Sequence, residues 1–339
     1  MVIKNDLELN FTKFDPKSVS KKTEALNEQL VKIADAGPRW YEVGAAKYRK
    51  MREDGETPLP KPTILDGEDI FVPSRESGRP IPCRVMKPKS GDVKGVFLHI
   101  HGGGWVLMLR HQLMFDSQDP LLKFLADVAN LVVVSVGYRL APEDPYPKGN
   151  EDCFDVAEYL VDNARAKFGG PLLFAGGESA GGHLATLVCF HLLQTRPTFH
   201  FAGLNLVFGA YDLAGFLPST HTFSRTLVID KPIMTAYINA YIPKTTEAER
   251  RDPWISPLYA DFTKLVGKLP PALFTVGTED PLLDDSIFMS AKWRTTGAET
   301  AVKFYSGCPH GFCFFPEESM DGVKEWFADV KTFLLEHVK

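Results

Sequence analysis

The sequence predicts an α/β protein: a mostly parallel, eight-stranded sheet flanked by helices. Three observations predict it. Short, continuously apolar runs recur along the 339 residues, helix-compatible stretches separate most of them, and glycine-rich segments follow several of the runs. A strand that is apolar at every position is buried on both faces, and such strands alternating with helices make a parallel sheet covered on both sides.

The elements follow in order. Residues 1 to about 60 read as amphipathic helices, with Ala25, Leu26, Leu30, Ile33 and Ala34 at helical spacing. Gly37-Pro38 interrupts them, and a second helical run continues from Trp40 to about Met51. Pro58, Pro60 and Pro62 form a stiff connector. Strands are expected at 68–72 and 81–86, divided by the turn Ser77-Gly78-Arg79-Pro80, and then at 96–100, 131–136, 172–175, 204–208, 272–276 and 301–305. Helices are expected over 121–128, 155–167, 180–194, 285–296 and 323–338. Residues 212–261 break the rhythm, with a long connection rich in Phe, Tyr, Trp and Pro where one crossover helix would suffice. Long connections of this kind are usually functional. The expected organisation is N-terminal cap helices over 1–60, a core made of 61–211 and 262–339, and a cap insertion over 212–261.

Composition narrows the function. Hydrophobic residues at 44% and charged residues at 24% exclude a disordered or fibrous chain. A net charge of −5 without long basic runs argues against nucleic acid or an anionic membrane surface as partner. No apolar stretch approaches the roughly 20 residues that cross a bilayer. The start lacks a basic segment followed by an apolar run, so no secretory signal is expected. Five scattered cysteines, Cys83, Cys153, Cys189, Cys308 and Cys313, read as reduced thiols of a cytoplasmic protein.

Three motifs carry chemistry. Gly177-Glu178-Ser179-Ala180-Gly181 lies between an expected strand and an expected helix. A tight turn there exposes the serine hydroxyl and sets a helix N-terminus behind it, where negative charge is favoured. His101-Gly102-Gly103-Gly104-Trp105 ends another strand, and a histidine followed by three glycines arises by chance only about 0.005 times in a chain of this composition. Successive glycines let amide N–H groups converge on an oxyanion with no side chain in the way. The third is a pair: Gly277-Thr278-Glu279-Asp280-Pro281-Leu282-Leu283-Asp284-Asp285 and Gly307-Cys308-Pro309-His310-Gly311-Phe312, each following a strand. Acid and histidine on neighbouring loops can meet, giving the chain order Ser, Asp, His. Glu279, Asp284 and Asp285 compete with Asp280, although Asp284 or Asp285 suits the N-cap of the next helix. His99 and His101, two apart on a strand, point the same way, but no third metal ligand accompanies them.

These motifs, together with Tyr138-Arg139-Leu140-Ala141-Pro142-Glu143, resemble the hormone-sensitive-lipase-like family of α/β-hydrolase esterases over about residues 80–339. The resemblance implies the α/β-hydrolase fold, with Ser179 as nucleophile, Asp280 as orienting acid and His310 as base. It implies an oxyanion hole from the amides of Gly103, Gly104 and Ala180. Two departures stand out. Glu178 occupies a position usually held by Asp or Thr, and Val106-Leu107-Met108-Leu109 is bulky where the family often has glycine.

The expected function is a serine carboxylic-ester hydrolase acting on small to medium acyl esters through an acyl-enzyme, with no cofactor and no metal. Trp105 and Met108 are expected to shape the acyl pocket, and Trp40, Tyr41 and Phe216 to face the substrate from the cap. A small-molecule ester is the expected partner, and a homodimer is left open. A lactonase, amidase or thioesterase stays open as an alternative, as does a catalytically silent small-molecule receptor on the same fold.

Overall fold

The computed structural model describes residues 9–89, 91–108 and 118–338, so the first eight residues of the expected N-terminal helical region and the bulky Leu109 lie outside the described set. Its eight strands are β1 (Glu68–Pro73), β2 (Pro80–Met86), β3 (Gly95–Ile100), β4 (Leu131–Val136), β5 (Leu172–Glu178), β6 (Gly203–Val207), β7 (Ala272–Glu279) and β8 (Thr300–Pro309). They form one sheet in the order β1-β2-β4-β3-β5-β6-β7-β8. β2 runs antiparallel to both β1 and β4, and the remaining pairs are parallel.

Helices α1 (Lys21–Ala36), α2 (Trp40–Val43) and α3 (Ala45–Asp54) precede the sheet. Within it come α4 (Asp119–Ala129), α5 (Lys148–Phe168) and α6 (Ala180–Thr195). The long connection between β6 and β7 holds α7 (Pro218–Thr222), α8 (Lys231–Tyr241) and α9 (Glu247–Arg250), and α10 (Leu283–Thr295) and α11 (Asp321–His337) complete the chain. No helix among the described residues is long and apolar enough to cross a membrane.

The continuous apolar strands bury both faces because alternate side chains point to opposite sides. On β3, Val96, Leu98 and Ile100 join one core while Phe97 joins the other; on β4, Val132, Val134 and Val136 oppose Leu131 and Val133. The first core is closed by α5, α6 and α10 through residues such as Leu160, Leu187 and Trp293. The second is closed by α4 and α11 through Leu125, Trp326 and Val330. Trp326 is fully buried and donates from Nε1 to Thr275 Oγ1 at 3.1 Å, so it locks α11 onto β7. Truncating a buried aromatic of that kind costs about 3–5 kcal/mol.

The structure departs from the sequence reading at four places. The run from Trp40 is two helices, because Gly44 adopts φ +86° between α2 and α3. Helix α5 begins seven residues early, and the first side chains that it buries, Asn150 and Asp152, are polar and therefore invisible to apolar periodicity. Asp152 there is fully buried, accepting from the Arg139 backbone N and Nε at 2.9 and 3.0 Å and pairing with Arg79. Strand β8 extends to Pro309, because pairing with β7 resumes at Glu279–Pro309 after an irregularity, across which Gly307 N donates to Thr278 Oγ1 at 2.8 Å. Finally, neither Asp284 nor Asp285 caps α10. The helix starts at Leu283, and its N-cap Leu282 has no side-chain cap. Asp284 instead accepts from Ser219 N at 2.7 Å, and Asp285 from Tyr211 N and Asp212 N at 2.6 and 2.9 Å, tying the long connection to the core.

Arg49 on α3 holds the N-terminal helices down. It donates to Val106 O at 2.7 Å and Ala141 O at 2.9 Å, and forks onto Glu143 at 2.8 Å through both terminal nitrogens. One guanidinium thus joins α3, the segment after the glycine triplet and the Tyr138–Glu143 stretch.

Candidate active site

The strand β5 turns into α6 through Ser179, whose φ of 57° and ψ of −118° are costly for a residue with a side chain. The turn is pinned by Ser179 N donating to Val207 O at 2.8 Å and by His183 N donating to Ser179 O at 3.1 Å. The glycines two positions on either side follow from the neighbouring strand. A Cβ on Gly177 or Gly181 would lie 1.9 or 1.8 Å from the Ile100 carbonyl oxygen of β3.

At the end of β3 the chain passes directly over this turn. The His101 ring stacks on Tyr138 with centroids 4.2 Å apart, and the Tyr138 hydroxyl donates to His101 O at 3.0 Å. Gly102 follows so closely that a Cβ there would sit 2.7 Å from Glu178 O and 3.4 Å from Ser179 Cβ. Gly103 and Gly104 then adopt φ of +92° and +60°, and a Cβ on Gly104 would enter the Tyr237 ring. Val106 N and Leu107 N both donate to Gly103 O, closing the loop beside the serine.

Strand β7 delivers Asp280 and β8 delivers His310. Asp280 Oδ1 accepts from Leu282 N at 2.8 Å, and its Oδ2 lies 2.8 Å from His310 Nδ1. His310 Nε2 lies 2.9 Å from Ser179 Oγ. An ionised carboxylate only accepts, so the hydrogen sits on Nδ1 and leaves the Nε2 lone pair for the serine hydroxyl. Asp280 is 1% exposed, His310 6% and Ser179 9%, which keeps water from competing along most of this chain. The Phe208 ring, 4.6 Å from the imidazole, walls one side. Of the competing carboxylates, Asp284 and Asp285 bind backbone amides as described above, and Glu279 points toward Arg225, 3.8 Å away.

Ser179 and His310 open onto a cleft with about 800 Å³ of empty space, part of it open to solvent. Leu107, Met108, Phe208, Met234, Tyr237 and Phe314 give it an apolar wall, and Tyr48 and Arg52 of α3 contribute from above. Met108 is therefore part of the cleft wall. Trp105, Trp40, Tyr41 and Phe216 are not part of this wall. Trp105 is buried, stacked on Tyr241 with centroids 4.6 Å apart, and donates from Nε1 to His183 Nδ1 at 3.2 Å. Trp40 stacks behind Tyr237 at 5.1 Å, so it backs a wall residue. Tyr41 is exposed, and Phe216 packs edge-on to His221. Aromatic content alone could not say which rings face inward.

The remaining singled-out residues have partners. Burial lowers the His183 pKa to about 4, and the neutral ring accepts from Trp105 and donates from Nε2 to Ile255 O at 2.8 Å. His99 sits between Ser135 and Glu178. All five cysteines are buried and free, and burial raises the Cys308 and Cys313 thiols that flank His310. Gln118, Thr57 and Tyr237 belong to the cleft wall, yet they lie in no motif and nothing in the sequence marks them.

A family model described as alpha/beta hydrolase fold matches residues 97–314. A carboxylesterase of Mycobacterium tuberculosis is 30% identical over 240 residues, covering 69% of this chain and 72% of its own. An ethyl acetate hydrolase of Pseudomonas putida is 27% identical over 248 residues, covering 72% of this chain and 74% of its own. The crystal structure of a thermostable esterase, also from Pseudomonas putida, superposes with a TM-score of 0.81 at 22% identity, covering 95% of this chain and 98% of that one. At that identity it speaks for the fold.

Proposed function

This chain belongs to the hormone-sensitive-lipase-like family of α/β-hydrolases and is a carboxylesterase-type hydrolase, and from that premise we propose that it cleaves small to medium acyl esters through Ser179, His310 and Asp280 by way of an acyl-enzyme. The observation that carries this reading is the unbroken chain of hydrogen bonds from Asp280 Oδ2 through His310 to Ser179 Oγ, at 2.8 and 2.9 Å.

In the first half-reaction His310 Nε2 takes the Ser179 proton as Oγ attacks the ester carbonyl. The amides of Gly103, Gly104 and Ala180 hold the oxyanion, a contribution that usually outweighs the others in acyl transfer. Asp280 keeps the imidazole in the tautomer with hydrogen on Nδ1 and stabilises its cation without taking the proton. His310 then protonates the leaving alkoxide, and the alcohol departs. In the second half His310 deprotonates water, which attacks the acyl-serine, and the imidazole returns that proton to Ser179 Oγ as the acyl–oxygen bond breaks and the acid leaves.

Residues of α1–α3 and of 212–261 serve as the cap of this site. Tyr48 and Arg52 on one side and Met234 and Tyr237 on the other line the same cleft as Ser179. The relative that hydrolyses ethyl acetate supports a small acyl group, and Met108 supports a wall close to the oxyanion loop.

The test is covalent labelling. A fluorophosphonate should modify wild-type protein at Ser179 alone, and Ser179→Ala should lose labelling and lower kcat by about 10⁴ or more with its melting temperature unchanged. Retention of more than about a tenth of wild-type activity in Ser179→Ala removes that residue from the role.

A further inference from the structure

The cleft that holds Ser179 carries two side chains whose buried polar atoms have no hydrogen-bond partner among the described residues. Gln118 is 4% exposed and precedes α4, yet its side chain does not cap the helix. Both its Oε1 and its Nε2 are buried with no hydrogen-bond partner. Thr57, 8% exposed and just beyond α3, is in the same condition at Oγ1. The two residues come from distant parts of the chain and line the same cleft as Ser179 and His310. Buried polar groups in folded proteins nearly always have partners, so two residues with such groups in the lining of one cleft ask for a ligand that supplies them.

Their chemistry specifies the ligand. A carboxamide offers a donor and an acceptor side by side, and a hydroxyl offers both on one atom. The complementary group is neutral and both donates and accepts. A carboxylate would satisfy Gln118 Nε2 and Thr57 but would meet the lone pairs of Gln118 Oε1, and Glu178 lines the same cleft. Arg52, the cation in the wall, directs Nη1 at the carbonyl oxygens of Leu59 and Pro60. A plain alkyl chain leaves all three atoms unpaired.

We infer that Gln118 and Thr57 form a polar subsite that selects esters carrying a hydroxyl, or another neutral donor–acceptor group, away from the scissile carbonyl. The inference rests on the ester-hydrolase reading for the reaction, and it is tested by binding so that the two can fail separately.

The probes are two pairs of near-isosteric esters. On the alcohol side they are 4-hydroxybutyl butanoate and pentyl butanoate; on the acyl side, ethyl 6-hydroxyhexanoate and ethyl heptanoate. Dissociation constants are measured by titration calorimetry on Ser179→Ala protein, where hydrolysis plays no part. In at least one pair the hydroxylated ester should bind about tenfold or more tightly than its alkyl partner, since a site built to hydrogen-bond a hydroxyl rejects the analogue without it. Adding Gln118→Leu should abolish that preference and should not lower the melting temperature, because an apolar group then replaces a buried, unpaired amide. Wild-type turnover of p-nitrophenyl acetate separately reads the ester-hydrolase assignment. The subsite is overturned if neither hydroxylated ester binds more tightly than its partner, or if the preference survives both Gln118→Leu and Thr57→Val. It is also overturned if Gln118→Leu lowers the melting temperature by several degrees, which would mark the amide as structural.

Discussion

Glu178 and His99 meet beneath the turn that carries Ser179, with His99 Nε2 lying 3.2 Å from each carboxylate oxygen of Glu178. Both side chains are almost completely buried, and on its other side His99 Nδ1 lies 2.8 Å from Ser135 Oγ. The contact spans three adjacent strands, β4, β3 and β5. Glutamate has one methylene more than aspartate, and its reach back to β3 is met by a histidine. The residue that looks like a departure in sequence thus has a dedicated partner in space.

Removing that partner should be expensive. His99→Leu leaves a carboxyl group buried without compensation, and breaking a buried pair from one side costs about 3–5 kcal/mol. Urea unfolding should therefore show a loss of about 3 kcal/mol or more. The double variant His99→Leu with Glu178→Leu should recover much of it, because the buried carboxyl is removed as well and only the smaller Ser135 hydroxyl loses a partner. A single variant within about 1 kcal/mol of wild type would show that the pair contributes little.

The two aspartates near α10 should separate by phenotype. Asp280→Asn leaves the fold intact but offers His310 Nδ1 an ambiguous partner, and should lower kcat by about 10⁴ as in other triads. Asp284→Asn weakens the 2.7 Å bond to Ser219 N and should cost about 1 kcal/mol of stability with kcat nearly unchanged. Steady-state kinetics and denaturant unfolding on both variants decide the matter. An exchange of the two phenotypes would mean that the wrong carboxylate has been assigned.

Asp285 gives a pH dependence. Burial pushes its carboxyl up to about 8, against the Asp212 and Tyr211 amides that favour its charged form. An unfolded aspartate titrates near 3.9, so between the two values the folded state holds the extra proton. The stability this contributes is complete below the unfolded value and is lost as pH rises through about 8. Asp285→Asn keeps an acceptor for both amides and removes the titration. The variant's melting temperature should gain on that of wild type as pH rises from 5 to 9. A constant difference across that range contradicts the assignment.

Acyl-chain length tests the wall at Met108. Its Cγ would lie 2.6 Å from a Cβ on Gly103, so the side chain closes the space beside the glycine triplet. Each acyl methylene that fits gains at most about 0.8 kcal/mol. Forcing one into an occupied space costs about 1–3 kcal/mol, which cancels the gain from the next one to three methylenes. Among p-nitrophenyl esters kcat/KM should peak between acetyl and hexanoyl and fall steeply beyond. Met108→Gly should move the peak to longer chains. A wild-type optimum at dodecanoyl or longer is the outcome that rules out a small pocket.

Much of this was legible in the sequence because it is local. Apolar runs at 131–136 and 172–175 announce doubly buried strands. Gly-x-Ser-x-Gly and the glycine triplet are backbone requirements written into a few consecutive residues, and the structure gives the reason in the Ile100 carbonyl and the Tyr237 ring. Where polar burial replaced apolar periodicity, as around Asp152 at the start of α5, the same reading fell short by two turns.

The sequence by itself determined the alternation of strands and helices and the strand-turn-helix around Ser179, since each depends on the conformational preferences of neighbouring residues. Only the tertiary structure decided which groups touch. Ser179 and His310 are 131 positions apart, and Glu178 and His99 are 79 apart. Trp105, Trp40, Tyr41 and Phe216 read as cleft residues and lie elsewhere, while Gln118 and Thr57 read as nothing in particular and line the cleft. The physical reason is that a side chain's surroundings are set by the packing of whole elements against one another, and no short stretch of chain contains that information.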